Sequence, residues 1–200
     1  MAEAPSLLVV IPCLNEEAHI ADLLDRLCAD PSAGHARIVV ADGGSTDRGA
    51  DIVRARAVKD ARIVLLQNPK RLQSAGVNLA VEQYSAGAEV LIRVDAHAAY
   101  PEFFLTHLLD AYRESGADSV TVAMHAVAHA KSCFQRAAAC AQNSVLGAGG
   151  SPSIGVGLGS GRRTQRDEER VGVVEIAHEQ EIFEQSDGGL DHRGPVGRVL

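Results

Sequence analysis

The stretch VVADGGSTDRGADIV, residues 39–53, runs from β-branched apolar residues into an aspartate, two glycines, a Ser-Thr pair and a second aspartate, then takes up a helical pattern. A buried strand that ends in so much turn chemistry and opens into a helix is one βα step of an α/β protein. Loops at the carboxyl ends of such strands are where ligands bind. The neighbouring sequence repeats the step. LLVVIP (7–12) reads as a buried parallel strand, and Ile20, Leu23, Leu24 and Leu27 follow helical spacing, with Asn15 placed to cap that helix. RIVLLQN (62–68) and EVLIRVDA (89–96) give further strands, LQSAGVNLAVEQYSA (72–86) a helix between them. YPEFFLTHLLDAYRES (100–115) is a helix with Pro101 in its first turn and Phe104, Leu108 and Tyr112 inward, and DSVTVAM (118–124) is a fifth strand. Alternation at this spacing predicts a mostly parallel, Rossmann-like α/β sheet with helices on both faces. All carboxyl ends then share one edge, which gathers Pro12–Glu16, Asp42–Asp47 and Asp95–His97.

Bulk properties narrow the classes. At 46% hydrophobic and 22% charged, the 200 residues can bury a core of one domain. A formal charge of −7 lacks the basic footprint of a nucleic-acid binder. Cys13, Cys28, Cys133 and Cys140 show no CxxC pairing and read as reduced thiols, the last two as helix packing. The start MAEAPSLLVVIPCLNEE lacks the pattern of a signal peptide, and no apolar run approaches the ~20 residues that cross a bilayer. These features imply a cytoplasmic protein, with at most peripheral contact at the inner face of the plasma membrane.

Two stretches carry candidate chemistry. In VVADGGSTD, glycines permit a turn and Ser45 or Thr46 can cap the next helix. Asp42, at the strand end, can equally accept the ring N–H of a uracil-like base. In LIRVDAHAAYP, Asp95 and His97 lie one residue apart at a strand terminus, and alternate strand residues face one way. A carboxylate and an imidazole suit Mn²⁺ or Mg²⁺, with phosphate oxygens and water completing the shell. The plainer reading is a capping aspartate beside a surface histidine.

Taken in order, VVIPCLNEEAHIADLLDRL, VVADGGSTDRGADIV, NPKRLQSAGVNLAV and VLIRVDAHAAYP resemble a family 2 glycosyltransferase of the GT-A fold. The DGGSTD and RVDAHAAYP forms are similar to the branch that builds succinoglycan-type exopolysaccharides. The resemblance implies that Pro12, Leu14 and Glu16 cradle the nucleoside of a UDP-sugar, that Asp42 reads the uracil, and that Arg71 faces the base or diphosphate. Asp95 and His97 then match the ends of the DXD motif, Asp95 near ribose and metal and His97 as metal ligand. The family more often has aspartate at that last position, so His97 keeps a metal-binding atom and loses a charge. The implied reaction is inverting transfer to a glycan or lipid-linked saccharide, with a carboxylate base on the acceptor-binding half.

The resemblance and the regular patterning stop together near residue 146. Residues 147–200 hold 12 of the 19 glycines and one of the seven aromatics. VGVVEIA (171–177) reads as a strand and HEQEIFEQS (178–186) as a short helix. No ED-type base motif occurs there; Asp187 and Asp191 stand at about the right distance in a different setting. The division expected is a nucleotide-sugar-binding domain over 1–146 and a glycine-rich tail over 147–200. That tail is either a divergent acceptor half or the product of a shifted reading frame in a GC-rich gene. Two function classes follow: a metal-dependent transferase of exopolysaccharide or cell-envelope synthesis, and a catalytically silent nucleotide-binding protein without an acceptor half. A nucleotidyltransferase ranks below both, because PCLNEEAH contains neither the glycine nor the arginine of a pyrophosphorylase loop.

Overall fold

A computed structural model describes residues 6–117, 119–122, 137, 140, 157–158 and 172–175. The elements run β1 (Leu7–Cys13), α1 (Ile20–Ala29), a 3₁₀ turn (Pro31–His35), β2 (Ala36–Asp42), α2 (Gly49–Ala57) and β3 (Ile63–Gln67). They continue with α3 (Gln73–Tyr84), β4 (Val90–Arg93), α4 (Phe104–Ser115), β5 (Ser119–Thr121), β6 (Gly157–Leu158) and β7 (Gly172–Glu175). The strand order is β3-β2-β1-β4-β7-β5-β6. Every described pairing is parallel except β5 with β6. The direction of chain progress reverses between β1 and β4, and in open α/β sheets that switch point is where a crevice opens beyond the carboxyl ends.

β1 is central because it is apolar on both faces. Leu8, Val9, Val10 and Ile11 are fully buried, each contributing about 1.5–3 kcal/mol of transfer free energy. Alternation splits them: Leu7, Val9 and Ile11 pack with α1, α2 and α4, while Leu8 and Val10 pack with Val39, Leu66, Ala80 and Leu91 beside α3. Helix α3 approaches the sheet closely at Gly76, where a Cβ would stand 3.1 Å from Ala41 Cβ and 3.0 Å from Asn68 Nδ2. The tail residues Gly172–Glu175 form the expected strand, seated between β4 and β5. Gly157–Leu158, in a segment without strand periodicity, nevertheless pairs with β5.

Four local expectations are corrected. Asn15 does not cap α1, whose first turn has His19 as N-cap and no side-chain cap bond; Asn15 reaches across to the next loop instead. β4 ends at Arg93, short of the predicted 96, because the Asp95 amide turns away to donate to the Tyr100 hydroxyl. Helix α4 begins at Phe104, three residues past Pro101, because Phe103 takes a left-handed conformation (φ 55°) that no helix continues through. Its cap comes from outside: buried Asp30 accepts from the Leu105 and Thr106 amides and from Thr106 Oγ1, and also from the Ser32 amide. Cys140 is helical but exposed; Cys133 lies outside the described residues, as does the expected helix over 178–186.

Candidate functional site

The loops after β1, β2 and β4 meet at the switch-point edge. The first two are laced together. Asn15 Oδ1 accepts from the Thr46 amide and hydroxyl, at 2.8 and 3.2 Å, and the Asn15 amide donates to Ser45 Oγ at 2.9 Å. The Glu17 amide donates to Asp47, and Glu17 Oε2 accepts from the Arg48 amide, each at 2.9 Å. Asp47 also accepts from the Gly49 amide. Glu17 and Asp47, rather than Ser45 or Thr46, therefore satisfy the first amides of α2.

Asp42 is the hub of its own turn. Only 3% exposed, its carboxylate accepts from the Gly44 and Ser45 amides at 3.3 and 3.1 Å and from Ser45 Oγ at 2.5 Å. Gly43 and Gly44 lie against Arg71. A Cβ on Gly43 would lie 3.6 Å from Arg71 Cα, and one on Gly44 (φ 86°) 3.4 Å from the guanidinium. Arg71 is itself left-handed (φ 58°), as is Asn15 (φ 58°). Non-glycine residues so held carry strain of about 1–3 kcal/mol and cluster at functional sites. Leu14 is exposed beside Gly43, while the backbone carbonyl of Glu16 closes the first turn before α1. Pro12 pairs with Ala41 within the β1–β2 ladder, one residue short of that edge.

The β4 end is built differently. Asp95 is 2% exposed and accepts from Arg93 Nη2 at 3.2 Å; Arg93 also donates to Gln73 Oε1 at the start of α3. His97, its side chain 39% exposed, bonds through Nδ1 to Glu16 Oε1 at 3.2 Å. With β4 already ended, Asp95 and His97 are loop residues, and strand alternation does not fix their directions. Tyr100 clips the loop: its hydroxyl accepts from the Asp95 amide at 2.8 Å and donates to the Asp95 carbonyl at 3.2 Å. Burial pushes the Tyr100 phenol well above its ordinary range.

The edge is electronegative. Burial, then the carboxylates of Asp42, Glu16 and Asp47, push the Cys13 thiol up to about 12. A diphosphate held there would need cationic partners, and Arg71 stands at the Asp42 turn. No cluster of three or more His, Cys, Asp or Glu able to hold a metal occurs among the described residues. Asp95 and His97 place a carboxylate and an imidazole two residues apart on one loop. That donor set fits a hard divalent ion whose other ligands are substrate phosphates and water. A cavity of about 580 Å³ lies elsewhere, between α1 and the segment Tyr100–Phe104, and is lined by none of the predicted site residues.

The structure thus brings Glu16 to His97 and Arg71 to the Asp42 turn. Asp187 and Asp191 lie outside the described residues. Arg93, Tyr100 and Gln73 were missed. A charged residue inside the apolar run VLIRVDA was the available signal for Arg93; nothing in the sequence signals the Tyr100 clip.

Comparisons with known proteins show the family and the fold. The sequence pattern of Glycosyl transferase family 2 matches residues 8–136. The succinoglycan biosynthesis protein ExoA of Rhizobium meliloti (strain 1021) is 51% identical over 146 residues, covering 73% of this chain and 44% of that protein. An undecaprenyl-phosphate 4-deoxy-4-formamido-L-arabinose transferase of Shewanella sediminis is 33% identical over 58% of this chain and 36% of its own length. The chain therefore spans less than half of these relatives. Among solved structures, the mannosyltransferase PcManGT of Pyrobaculum calidifontis, in complex with GDP-Man and Mn²⁺, matches 62% of this chain and 36% of its own, with TM-score 0.54 and 21% identity. S. aureus TarS 1-349 matches 58% and 34%, with TM-score 0.50 and 23% identity. The fold is α/β of the GT-A type, and the chain belongs to glycosyl transferase family 2.

Proposed function

We propose that this chain binds a UDP-sugar at the β1–β2–β4 edge and transfers the sugar, with inversion, to a glycan or lipid-linked saccharide in exopolysaccharide or cell-envelope synthesis. The carrying observation is the convergence, within the family-matched residues, of the Asp42 turn, Arg71, Asp95 and the Glu16–His97 pair on one edge. The 51% identity to a succinoglycan biosynthesis protein supports the pathway class, and the Shewanella relative, named for undecaprenyl-phosphate, supports a lipid-linked acceptor at the inner membrane face. No helix among the described residues is long and apolar enough to cross a membrane.

In this reading Pro12, Leu14 and Glu16 line the nucleoside, Asp42 accepts the uracil N–H, and Arg71 lies along the base or diphosphate. Asp95 and His97 would hold Mn²⁺ or Mg²⁺, whose charge would offset that gathering on the departing diphosphate. The acceptor oxygen bonds to the anomeric carbon as the bond to UDP breaks, and a carboxylate, Asp187 or Asp191, takes the acceptor's proton. The domain division goes with it: residues 1–146 carry the donor site, and 147–200 form a divergent glycine-rich tail that contributes β7 to the sheet. Reading the gene in its other two frames tests the alternative, a shifted frame; the family pattern restored in either would rule out Asp187 and Asp191 as the base.

A second reading, a silent nucleotide binder, is favoured by one fact: the family match ends at residue 136, before either base candidate. Calorimetric titration of UDP, with and without MnCl₂, tests the donor site. Binding should require manganese and weaken by about tenfold or more in His97→Ala. Asp42→Asn should lose UDP binding and weaken the turn by about 1 kcal/mol, since its single amide oxygen can serve Ser45 but not the Gly44 amide as well. Wild-type protein that is folded and binds no UDP would overturn both readings.

A further inference from the structure

The bonds around Asp42 make its two oxygens unlike each other. Oδ1 accepts from the Ser45 hydroxyl at 2.5 Å and from the Ser45 amide at 3.1 Å, which takes up both of its lone pairs. Oδ2 accepts at 3.3 Å from the Gly44 amide and at 3.4 Å from the same Ser45 amide, which it shares with Oδ1. The hydroxyl has a fixed direction. Ser45 Oγ accepts from the Asn15 amide at 2.9 Å, and a carboxylate only accepts, so the one hydroxyl proton goes to Oδ1. Asp42 is 3% exposed, so these bonds rather than water decide which oxygen can take a further donor. We propose that Ser45 is a positioning residue for Asp42: its hydroxyl, directed by the Asn15 amide, saturates Oδ1 and leaves Oδ2 to accept the imide N–H of a uracil ring.

The inference rests on the reading of Asp42 as the uracil acceptor, and adds which oxygen accepts and what holds it ready. A short hydroxyl-to-carboxylate bond is charge-assisted, roughly twice as strong as a neutral one. It therefore fixes the carboxylate more firmly than the two long amide contacts on Oδ2. Both ends of the link are pinned. Asn15 sits on the loop after β1, 30 positions before Ser45, in the left-handed region (φ 58°), and its side chain accepts from the Thr46 amide and hydroxyl. The link can be broken without dismantling the turn. Ser45→Ala removes the hydroxyl alone: the Gly44 and Ser45 backbone amides still serve Asp42, and the Asn15 amide, at an exposed contact, is left to water.

The test is a cycle between one hydroxyl and one N–H, read by calorimetric titration of the full chain with MnCl₂ present. UDP is compared with UDP methylated at N3 of the uracil, which has no imide N–H to donate. Wild type should prefer UDP by about tenfold or more, the worth of a hydrogen bond to a charged group. Ser45→Ala should bind UDP more weakly and lose most of that preference, with its affinity for the methylated nucleotide unchanged. Ser45→Thr, which keeps the hydroxyl, should keep the preference. Where Ser45→Ala fails to fold, Ser45→Cys, whose thiol fills the position but donates weakly, gives the same comparison. A merely structural serine would weaken both nucleotides alike. An undiminished preference in the folded variant therefore overturns the role of Ser45 and leaves Asp42 standing as the uracil acceptor. A folded wild type that binds both nucleotides alike, or neither, overturns the uracil reading, and this inference with it.

Discussion

The two edges of the sheet use the same residue types for opposite ends. At the amino-terminal edge, Asp30 and the Asp60–Arg62 pair make closed sets of bonds that hold backbone connections. Asp30 serves amides of the 3₁₀ turn and α4. Arg62 holds Asp60 through Nε and Nη2 and donates to the carbonyls of Ala33 and Cys28. At the carboxyl-terminal edge, Glu16 and His97 meet side chain to side chain across 81 positions, and Arg93 bridges Asp95 to Gln73. Acids that serve backbone amides hold connections in shape; acids paired with other side chains across loops leave a functional group aimed and exchangeable. Asp42 belongs by its bonds to the first kind and by its position to the second, which is why its role is the most informative to test.

The largest effect should come from removing Asp30. Asp30→Ala strands the Leu105 and Thr106 amides and the Ser32 amide at a buried site, and should destabilise the protein by about 3 kcal/mol in urea denaturation. Because Asp30 caps the helix that follows the His97 loop, the variant also asks whether the two edges are independent. Loss of stability with Mn²⁺ and UDP binding kept at a temperature where the protein stays folded would show that they are. Loss of binding under those conditions would show that the amino-terminal edge helps to set the site.

Tyr100→Phe probes the join from the other end. It keeps the ring and its packing on Phe104, 4.6 Å away between centroids, but removes the hydroxyl that serves both the amide and the carbonyl of Asp95. About 1–2 kcal/mol should be lost by the same measurement, with Mn²⁺ affinity falling too. A purely structural tyrosine would leave the affinity unchanged.

What the sequence could and could not disclose follows the same division. β1, β3 and α3 were legible to within one or two residues, because their burial patterns follow from apolar periodicity alone. The Asp42 turn was legible as a turn, since an aspartate followed by two glycines and a serine is local chemistry. The caps were misplaced because they are not local: Asn15 spans to Thr46, and Asp30 reaches α4 from 75 residues upstream. β4 was overextended because VLIRVDA continues a strand pattern that a single hydroxyl, five residues on, interrupts. Glu16 was found through a resemblance, but its contact with His97 depends on which strands are neighbours, and no spacing in the sequence encodes that.

The smallest predicted effect isolates the amino-terminal edge. Hydrogen bonds from the Arg62 side chain, then from its backbone amide, hold the Asp60 carboxyl down to about 2, from an ordinary 3.8. A carboxyl depressed by folding adds stability that is fully present above its unfolded value and is lost as pH falls through its folded one. The window is therefore about pH 4 down to about pH 2. Both partners are partly open to water, so solvent screening trims the loss to the order of 1 kcal/mol. Urea denaturation across that range should show wild type losing this increment and Asp60→Asn losing correspondingly less. UDP and Mn²⁺ binding at neutral pH should be the same in both, because every bond Asp60 makes ends at its own edge. If Asp60→Asn weakens ligand binding instead, the separation of scaffold edge from functional edge is wrong. The coupling would then run through Arg62 and the Cys28 carbonyl at the end of α1, the helix that opens just beyond Glu16.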